Sequence, residues 1–162
     1  MLKSENINYF KHGKIENIKF WKRLGLKPDF KNKKILDFGC GYGSLTLEIA
    51  ASGAQKVVGV DSNIDVINFA KENLRINFPD LVDKVDFEVV DLLKTDKFKD
   101  IDYIVTKDTF EHSLNLDQIL EKFHQILKKD GKAFVGFGPL YNFYNGDHGR
   151  TEAILPWFHI II

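Results

Sequence analysis

The chain has 162 residues, 44% of them apolar and 28% charged, the composition of one globular domain with enough apolar material for a core. Lys plus Arg equal Asp plus Glu at 23 each, so no global field draws the chain to nucleic acid or to an anionic membrane. The single cysteine, Cys40, excludes an internal disulfide and suits a reducing cytoplasm; no apolar run nears the ~20 residues of a membrane span, and the polar, charged start does not read as a secretory signal.

Residues 1–30 read as a helical arm. Ile15, Ile18, Trp21 and Leu24 fall at helical spacing with Phe20 beside them, and Gly25 and Pro28 end the helix. The arm either packs on a sheet or forms a lid with Tyr9, Phe10 and His12 at its open end. Residues 34–38 then read as a first strand. It runs into Gly39, Gly41 and Gly43 at alternate positions, within ILDFGCGYG. A helix follows over 44–51, which Ser44 could cap and Gly53 could stop. Residues 55–60 (QKVVGV) form a second strand ending at Asp61. Ser62 or Asn63 caps a helix to about Phe78, with Ile64, Ile67, Ala70, Leu74 and Phe78 on one face, and Pro79 breaks it. The third strand is 85–90 (VDFEVV), ending at Asp91, and the fourth is 102–106 (DYIVT), ending near Lys107 and Asp108. A helix over 116–127 stops at the basic turn Lys128, Lys129, Asp130, Gly131, and 132–138 (KAFVGFG) is the fifth strand.

Strands alternating with helices predict an α/β fold, a Rossmann-like doubly wound parallel sheet. Right-handed crossovers predict the strand order 3-2-1-4-5. Ligands in such sheets bind at the carboxyl ends of the strands, where the glycines, Asp61, Asp91, Lys107 and Asp108 all fall. Glycine lets the backbone turn sharply and approach a ligand, and the helix N-terminus behind it adds unpaired N–H groups and partial positive charge. Asp61, at the tip of the second strand, can accept from both hydroxyls of an unmodified ribose; the competing role is a surface acid at the start of the next helix. The spacing G-x-G-x-G, with Ser44 where the dinucleotide fingerprint has its third glycine, matches a pyrophosphate poorly. Asp37 would also face a phosphate badly but could hold an amino group. Asp91 could accept from the exocyclic amine of an adenine, and the Leu92 N–H could meet a ring nitrogen.

These residues make the chain resemble the class I S-adenosylmethionine-dependent methyltransferases, especially the type 11-like group that acts mostly on small molecules such as quinone precursors. The likeness spans residues 33–138 and rests on ILDFGCGYG, VVGVDSN, FEVVDLL, DYIVTKDTFEH and ILKKDGKAFVGF, in that order and spacing. It implies a single methyltransferase domain with a helical arm (1–30), a cofactor-binding core (33–138) and an aromatic tail (139–162). It also implies that Asp37, Gly39, Cys40, Gly41 and Gly43 surround the methionine and ribose parts of S-adenosylmethionine. Asp61, with Ser62 beside it, would take the ribose diol, Asp91 and Leu92 the adenine, and Lys107 the methionine and methyl side, with S-adenosylhomocysteine as product. Family members usually add a helix and an antiparallel strand pair after the fifth strand. Residues 139–162 are few for that, so the chain is expected to lack those strands: a natural short form, a truncated chain, or one that completes its edge as a homodimer.

Transfer from a sulfonium needs an in-line acceptor in a dry site, and a base only where the acceptor holds its proton tightly. Candidates for that base are Asp108, Glu111 and His112 after the fourth strand, and His12 from the arm. The competing roles are a loop hydrogen bond for His112 and a solvated carboxylate for Glu111. Cys40 suits the loop as a small residue, not as a nucleophile. The histidines form no short ligand pair beyond Glu111-His112, so no metal is expected. No D/N-P-P-aromatic motif follows the fourth strand, so nucleobase amino methylation of that type is not supported, and the resemblance implies a small organic acceptor. The tail aromatics Tyr141, Phe143, Tyr144, Trp157 and Phe158 either line an acceptor pocket or pack over the sheet edge. Two other readings remain: an NAD-dependent oxidoreductase on a Rossmann sheet, which the glycine spacing and Asp91 oppose, and a non-catalytic module that binds the cofactor.

Overall fold

A computed structural model describes residues 2–137. The elements run α1 (Ser4–Leu24), β1 (Lys34–Phe38), α2 (Ser44–Ala51), β2 (Lys56–Asp61), α3 (Ile64–Asn77), β3 (Val85–Val89), β4 (Ile101–Lys107), α4 (Leu116–Ile126) and β5 (Leu127–Gly136). The five strands form one parallel sheet in the order β3-β2-β1-β4-β5, as the alternating pattern predicts. No helix of the described residues is long and apolar enough to cross a membrane. The tail aromatics lie outside the described residues.

Strand alternation sends Ile35, Val57, Val85, Phe87 and Val105 to one face of the sheet, where α1, α2 and α3 bury Phe20, Trp21, Ile49, Ile67 and Ala70 against them. Leu36, Val60 and Ile104 point the other way and meet Ile119, Phe123 and Ile126 of α4. The same alternation puts the polar residues Asp37 and Lys107 on the α1–α2 side, at the ends of β1 and β4.

Four local expectations are corrected. The face of α1 turned to the core carries Phe10, Asn17, Phe20 and Trp21, whereas Ile15 and Ile18 stay 54% and 70% exposed. Two contacts set this rotation. Gly13 lies so close to Ser44 that a Cβ would overlap its side chain, and Phe20 packs on Gly136 of β5 in the same way. Asn17 can be buried because its side-chain amide is bonded on both ends. Second, α2 is capped by Gly43 and not by Ser44, which is already helical. Third, Ile64 opens α3 on the solvent side; the helix buries Ile67, Phe69, Ala70, Asn73 and Leu74, and Asn63 caps it by accepting from the Asp65 N–H at 2.9 Å.

Fourth, β5 starts at Leu127, directly after α4. Ile101 pairs with Leu127 and Tyr103 with Lys132, so residues 128–131 bulge opposite Asp102. Lys128 Nζ holds that bulge by donating to Asp102 Oδ1 at 2.7 Å. Gly131 therefore lies within the strand instead of ending a helix.

Candidate active site

The loop after β1 turns through three left-handed glycines, with φ of +73° at Gly39, +51° at Gly41 and +82° at Gly43. Side chains other than glycine pay for that region. The N–H groups of Gly39 and Cys40 donate to the Val60 carbonyl at 2.9 and 3.0 Å, and that of Gly43 to the Cys40 carbonyl at 2.9 Å. The Gly41 N–H donates to Asp61 Oδ2 at 2.9 Å. These four amides are spent inside the protein, so the loop is not the open nest of donors that a pyrophosphate needs. The loop instead offers close backbone approach, with open space where a Gly41 Cβ would stand.

A cavity of about 820 Å³ opens over the carboxyl ends of the strands, within the ~300–1,000 Å³ usual for small-molecule sites. From the sequence-derived residues it gathers Asp37, Gly39, Cys40, Gly41, Asp61, Ser62, Asp91, Leu92, Lys107, Asp108 and His112 along its wall. Gly43 and Glu111 are not among the lining residues. Gly43 sits one layer deeper, its α-carbon against Phe87 and Ala70. The arm contributes Tyr9, Phe10, His12, Gly13 and Glu16, so α1 forms one side of the cavity.

Each acid has a distinct setting. Asp37 is fully buried on β1 and accepts from Thr46 Oγ1 at 2.5 Å; burial pushes its carboxyl up to about 6. Asp61 accepts from Gly41 on one oxygen and from the Asn63 N–H at 2.9 Å on the other, and each oxygen retains a lone pair for a further donor. Asp91 lies at the surface, where Oδ1 accepts from the Leu93 N–H at 3.1 Å and Oδ2 meets Lys94 Nζ at 2.8 Å. The hydrogen bond from Lys94 lowers its pKa. Asp108 takes a left-handed φ of +54° with Arg23 at 3.6 Å; burial raises its pKa.

The remaining polar groups cluster near α1. Burial pulls the Lys107 ammonium down against the nearby carboxylates, and its Nζ donates to Asn17 Oδ1 at 2.7 Å. His12 Nε2 stands 3.4 Å from Glu16 Oε1. The Cys40 thiol is pushed well up by burial, which suits a packing role and not a nucleophile. His112 ends a short 3₁₀ turn, Phe110–His112, with its backbone N–H on the Thr109 carbonyl at 3.1 Å. Among the described residues no group of three His, Cys, Asp or Glu side chains is placed to hold a metal ion.

The sequence reading missed Asn17, Glu16, Glu48 and Thr109. Asn17 and Glu48 lie on helices whose apolar spacing was read and whose polar residues were passed over. Thr109 fills the space over Gly39, where a Cβ would overlap its side chain.

Comparison with known proteins agrees with this geometry. A family model described as a methyltransferase domain matches residues 29–136. A ubiquinone biosynthesis O-methyltransferase of Pelagibacter ubique (strain HTCC1062) is 34% identical over 160 residues, covering 95% of this chain and 61% of that protein. Phosphoethanolamine N-methyltransferase 3 of Arabidopsis thaliana is 33% identical over 126 residues, covering 76% of this chain and 24% of that protein. The chain thus spans less than two thirds of either relative. The solved structure of coclaurine N-methyltransferase bound to N-methylheliamine and SAH matches with a TM-score of 0.59 at 25% identity, over 73% of this chain and 34% of that one. With the 3-2-1-4-5 sheet and the glycine loop locked to Asp61, these matches place the chain in the family of class I S-adenosylmethionine-dependent methyltransferases.

Proposed function

We propose that this chain transfers a methyl group from S-adenosylmethionine to a small organic acceptor and releases S-adenosylhomocysteine. The observation that carries the reading is the run of groups along one cavity wall, from Asp91 through Asp61 and Gly41 to Lys107 and Asp108. It offers acceptors for an adenine amine and a ribose diol at one end and mixed charge at the other. The residues fit the group in two further respects. Gly41 leaves open space over its α-carbon, and the satisfied loop amides disfavour a pyrophosphate in the same place.

When bound, S-adenosylmethionine supplies a methyl group already activated on a sulfonium. The chain's own residues then have three tasks. Asp61 accepts from the ribose hydroxyls while its bonds to Gly41 and Asn63 keep it in place, and Ser62 borders the same end. Asp91 accepts from the adenine amine, and the N–H of Leu92, next to it on the wall, meets a ring nitrogen. Helix α1, with Tyr9, Phe10 and Gly13 on the wall, keeps water from the methyl end. His112 and Asp108 stand on the acceptor side, where either could take a proton from an acceptor hydroxyl or amine. Glu111, in the same 3₁₀ turn, lies outside the lining residues.

The relatives named above include an O- and an N-methyltransferase, so the acceptor belongs to that range of small oxygen and nitrogen nucleophiles. The single buried cysteine suits work in a reducing cytoplasm. β5 is one of the two edge strands of the described sheet, which offers an edge for pairing two copies. The test of the reading is calorimetric titration with S-adenosylmethionine, S-adenosylhomocysteine and NAD, on the native chain and on Asp61→Ala. Binding of the first two, lost in the variant, with none of NAD, is the expected result. Binding of NAD in their place would overturn it.

A further inference from the structure

The side of α1 turned away from the core carries a pattern of its own. Lys11, Ile15, Ile18 and Lys22 follow one another at steps of four, three and four, so they stand in a single line along the helix. All four are exposed, Ile15 and Ile18 at 54% and 70%. Lys14, four residues before Ile18, and Lys19, four after Ile15, flank the line and are exposed as well. No acid stands in it: Glu16 lines the cavity and Glu5 belongs to the first turn. Lys19 pairs with Glu16 at 2.7 Å, and Lys14 lies 5.4 Å from the Phe10 and Phe78 ring centres. Among the described residues Lys11 and Lys22 form no ion pair. Helix α1 holds five basic residues against two acids, although the whole chain is balanced.

Apolar surface gains by leaving water, and lysine stems can lie along it while their ammonium groups reach outward. A lipid surface with anionic headgroups meets both features of this stripe. Its headgroup oxygens take the ammonium groups, and the boundary of its acyl region takes the isoleucines. The stripe runs along the convex outside of a helix, so it fits a flat, fluid surface that needs no matching pocket. The neutral total charge does not oppose this, because exposed charges act only within a Debye length of about 8 Å. His12, three residues before Ile15, and Tyr9 are exposed and also line the cavity. Seating the stripe on a bilayer therefore brings the cavity mouth to the lipid boundary.

We propose that the outer face of α1, with Ile15 and Ile18 among Lys11, Lys14, Lys19 and Lys22, seats this chain reversibly on an anionic lipid surface. The proposal goes beyond the methyl-transfer reading and does not depend on it.

The test is flotation with vesicles of phosphatidylcholine alone and of equimolar phosphatidylcholine and phosphatidylglycerol. The native chain is expected to partition into the mixed vesicles roughly tenfold or more above the neutral ones, and less as salt rises. Lys11→Gln with Lys22→Gln should lower that partition by roughly tenfold, and Ile15→Ser with Ile18→Ser by a similar factor. Urea unfolding checks that both variants fold as the native chain does, since all four side chains are exposed. Lys84→Gln with Lys129→Gln removes the same charge near the amino ends of β3 and β5, away from the cavity. That control pair should leave partition within about twofold of native, because its lysines lie beyond the range of the seated face. Equal binding to both vesicle types, no binding to either, or an equal loss in the control pair overturns the proposal. So does a dimer in sedimentation that the isoleucine variant abolishes while its vesicle binding persists, which assigns the face to a second copy.

Discussion

The backbone N–H of Gly41 donates to Asp61 Oδ2 at 2.9 Å, across the gap between the ends of β1 and β2. The residue proposed to hold the ribose is thus also the residue that sets the shape of the glycine loop. The two roles separate by substitution. Asp61→Asn can keep an oxygen towards Gly41 but loses the charge and one acceptor, so stability should fall by only about 1–2 kcal/mol. Affinity for S-adenosylhomocysteine should fall by roughly tenfold or more, since two hydroxyls lose a charged acceptor. Urea unfolding and calorimetry on the same preparation check both parts; affinity within twofold of native would remove Asp61 from the ribose site.

A second prediction concerns the glycine that lines no part of the cavity. Gly43 holds φ at +82°, and a Cβ there would stand inside the Phe87 ring position. Gly43→Ala combines left-handed strain with overpacking and should cost more than ~2 kcal/mol in urea unfolding. Shortening the ring with Phe87→Leu should recover about 1 kcal/mol of that loss in the double variant, a coupling expected only between touching residues. Additive losses would mean that backbone strain alone is responsible.

The sheet order was legible because β-branched runs alternate with helical periods and each strand ends on a glycine, an acid or a lysine. The places of Asp37, Asp61, Asp91 and Lys107 were legible for the same reason, since strand ends fix them. The rotation of α1 was not. Its apolar spacing favoured Ile15 and Ile18, and nothing local says that Asn17 will find Lys107 ninety residues away or that Gly13 will admit Ser44. Those are tertiary contacts, and they outweigh a periodicity in which either face carries apolar residues. The start of β5 was hidden likewise, because residues 128–131 have turn chemistry and are held in the strand by pairing and by Asp102.

The close approach of Gly13 to Ser44 gives a third prediction. A Cβ at Gly13 would overlap the Ser44 side chain, so a branched residue must push α1 away from the N-terminus of α2. Gly13→Val should therefore open the cavity on the arm side. Amide hydrogen exchange in α1 is expected to quicken while the strands stay protected, and S-adenosylhomocysteine affinity should weaken by roughly fivefold as lining contacts are lost. Unchanged exchange in α1 would mean that the Ser44 rotamer absorbs the substitution.

The pH dependence of stability gives the last prediction, and Asp37 sets its sign. Burial holds this carboxyl at about 6 in the folded chain, against about 3.9 for an unfolded Asp. Between these values the folded state binds more protons than the unfolded state, so this group's contribution falls as pH rises from about 4 to about 6 and is flat above. The loss is on the order of 2–3 kcal/mol. Asp37→Asn keeps an acceptor for the Thr46 hydroxyl without the charge. It should remove this fall and match or exceed the native chain in stability at pH 7. The acids held low by lysines, such as Asp96 and Asp102, act in the opposite direction at lower pH and are common to both proteins, so the difference between the two urea profiles isolates Asp37. Parallel profiles would place the raised carboxyl elsewhere, with Asp108 the next candidate. The charge that is costly in the free chain becomes useful beside a cationic ligand, because a sulfonium or ammonium favours the ionised form. The native chain should accordingly bind S-adenosylmethionine more weakly at pH 5 than at pH 7.5, and Asp37→Asn should lose most of that dependence.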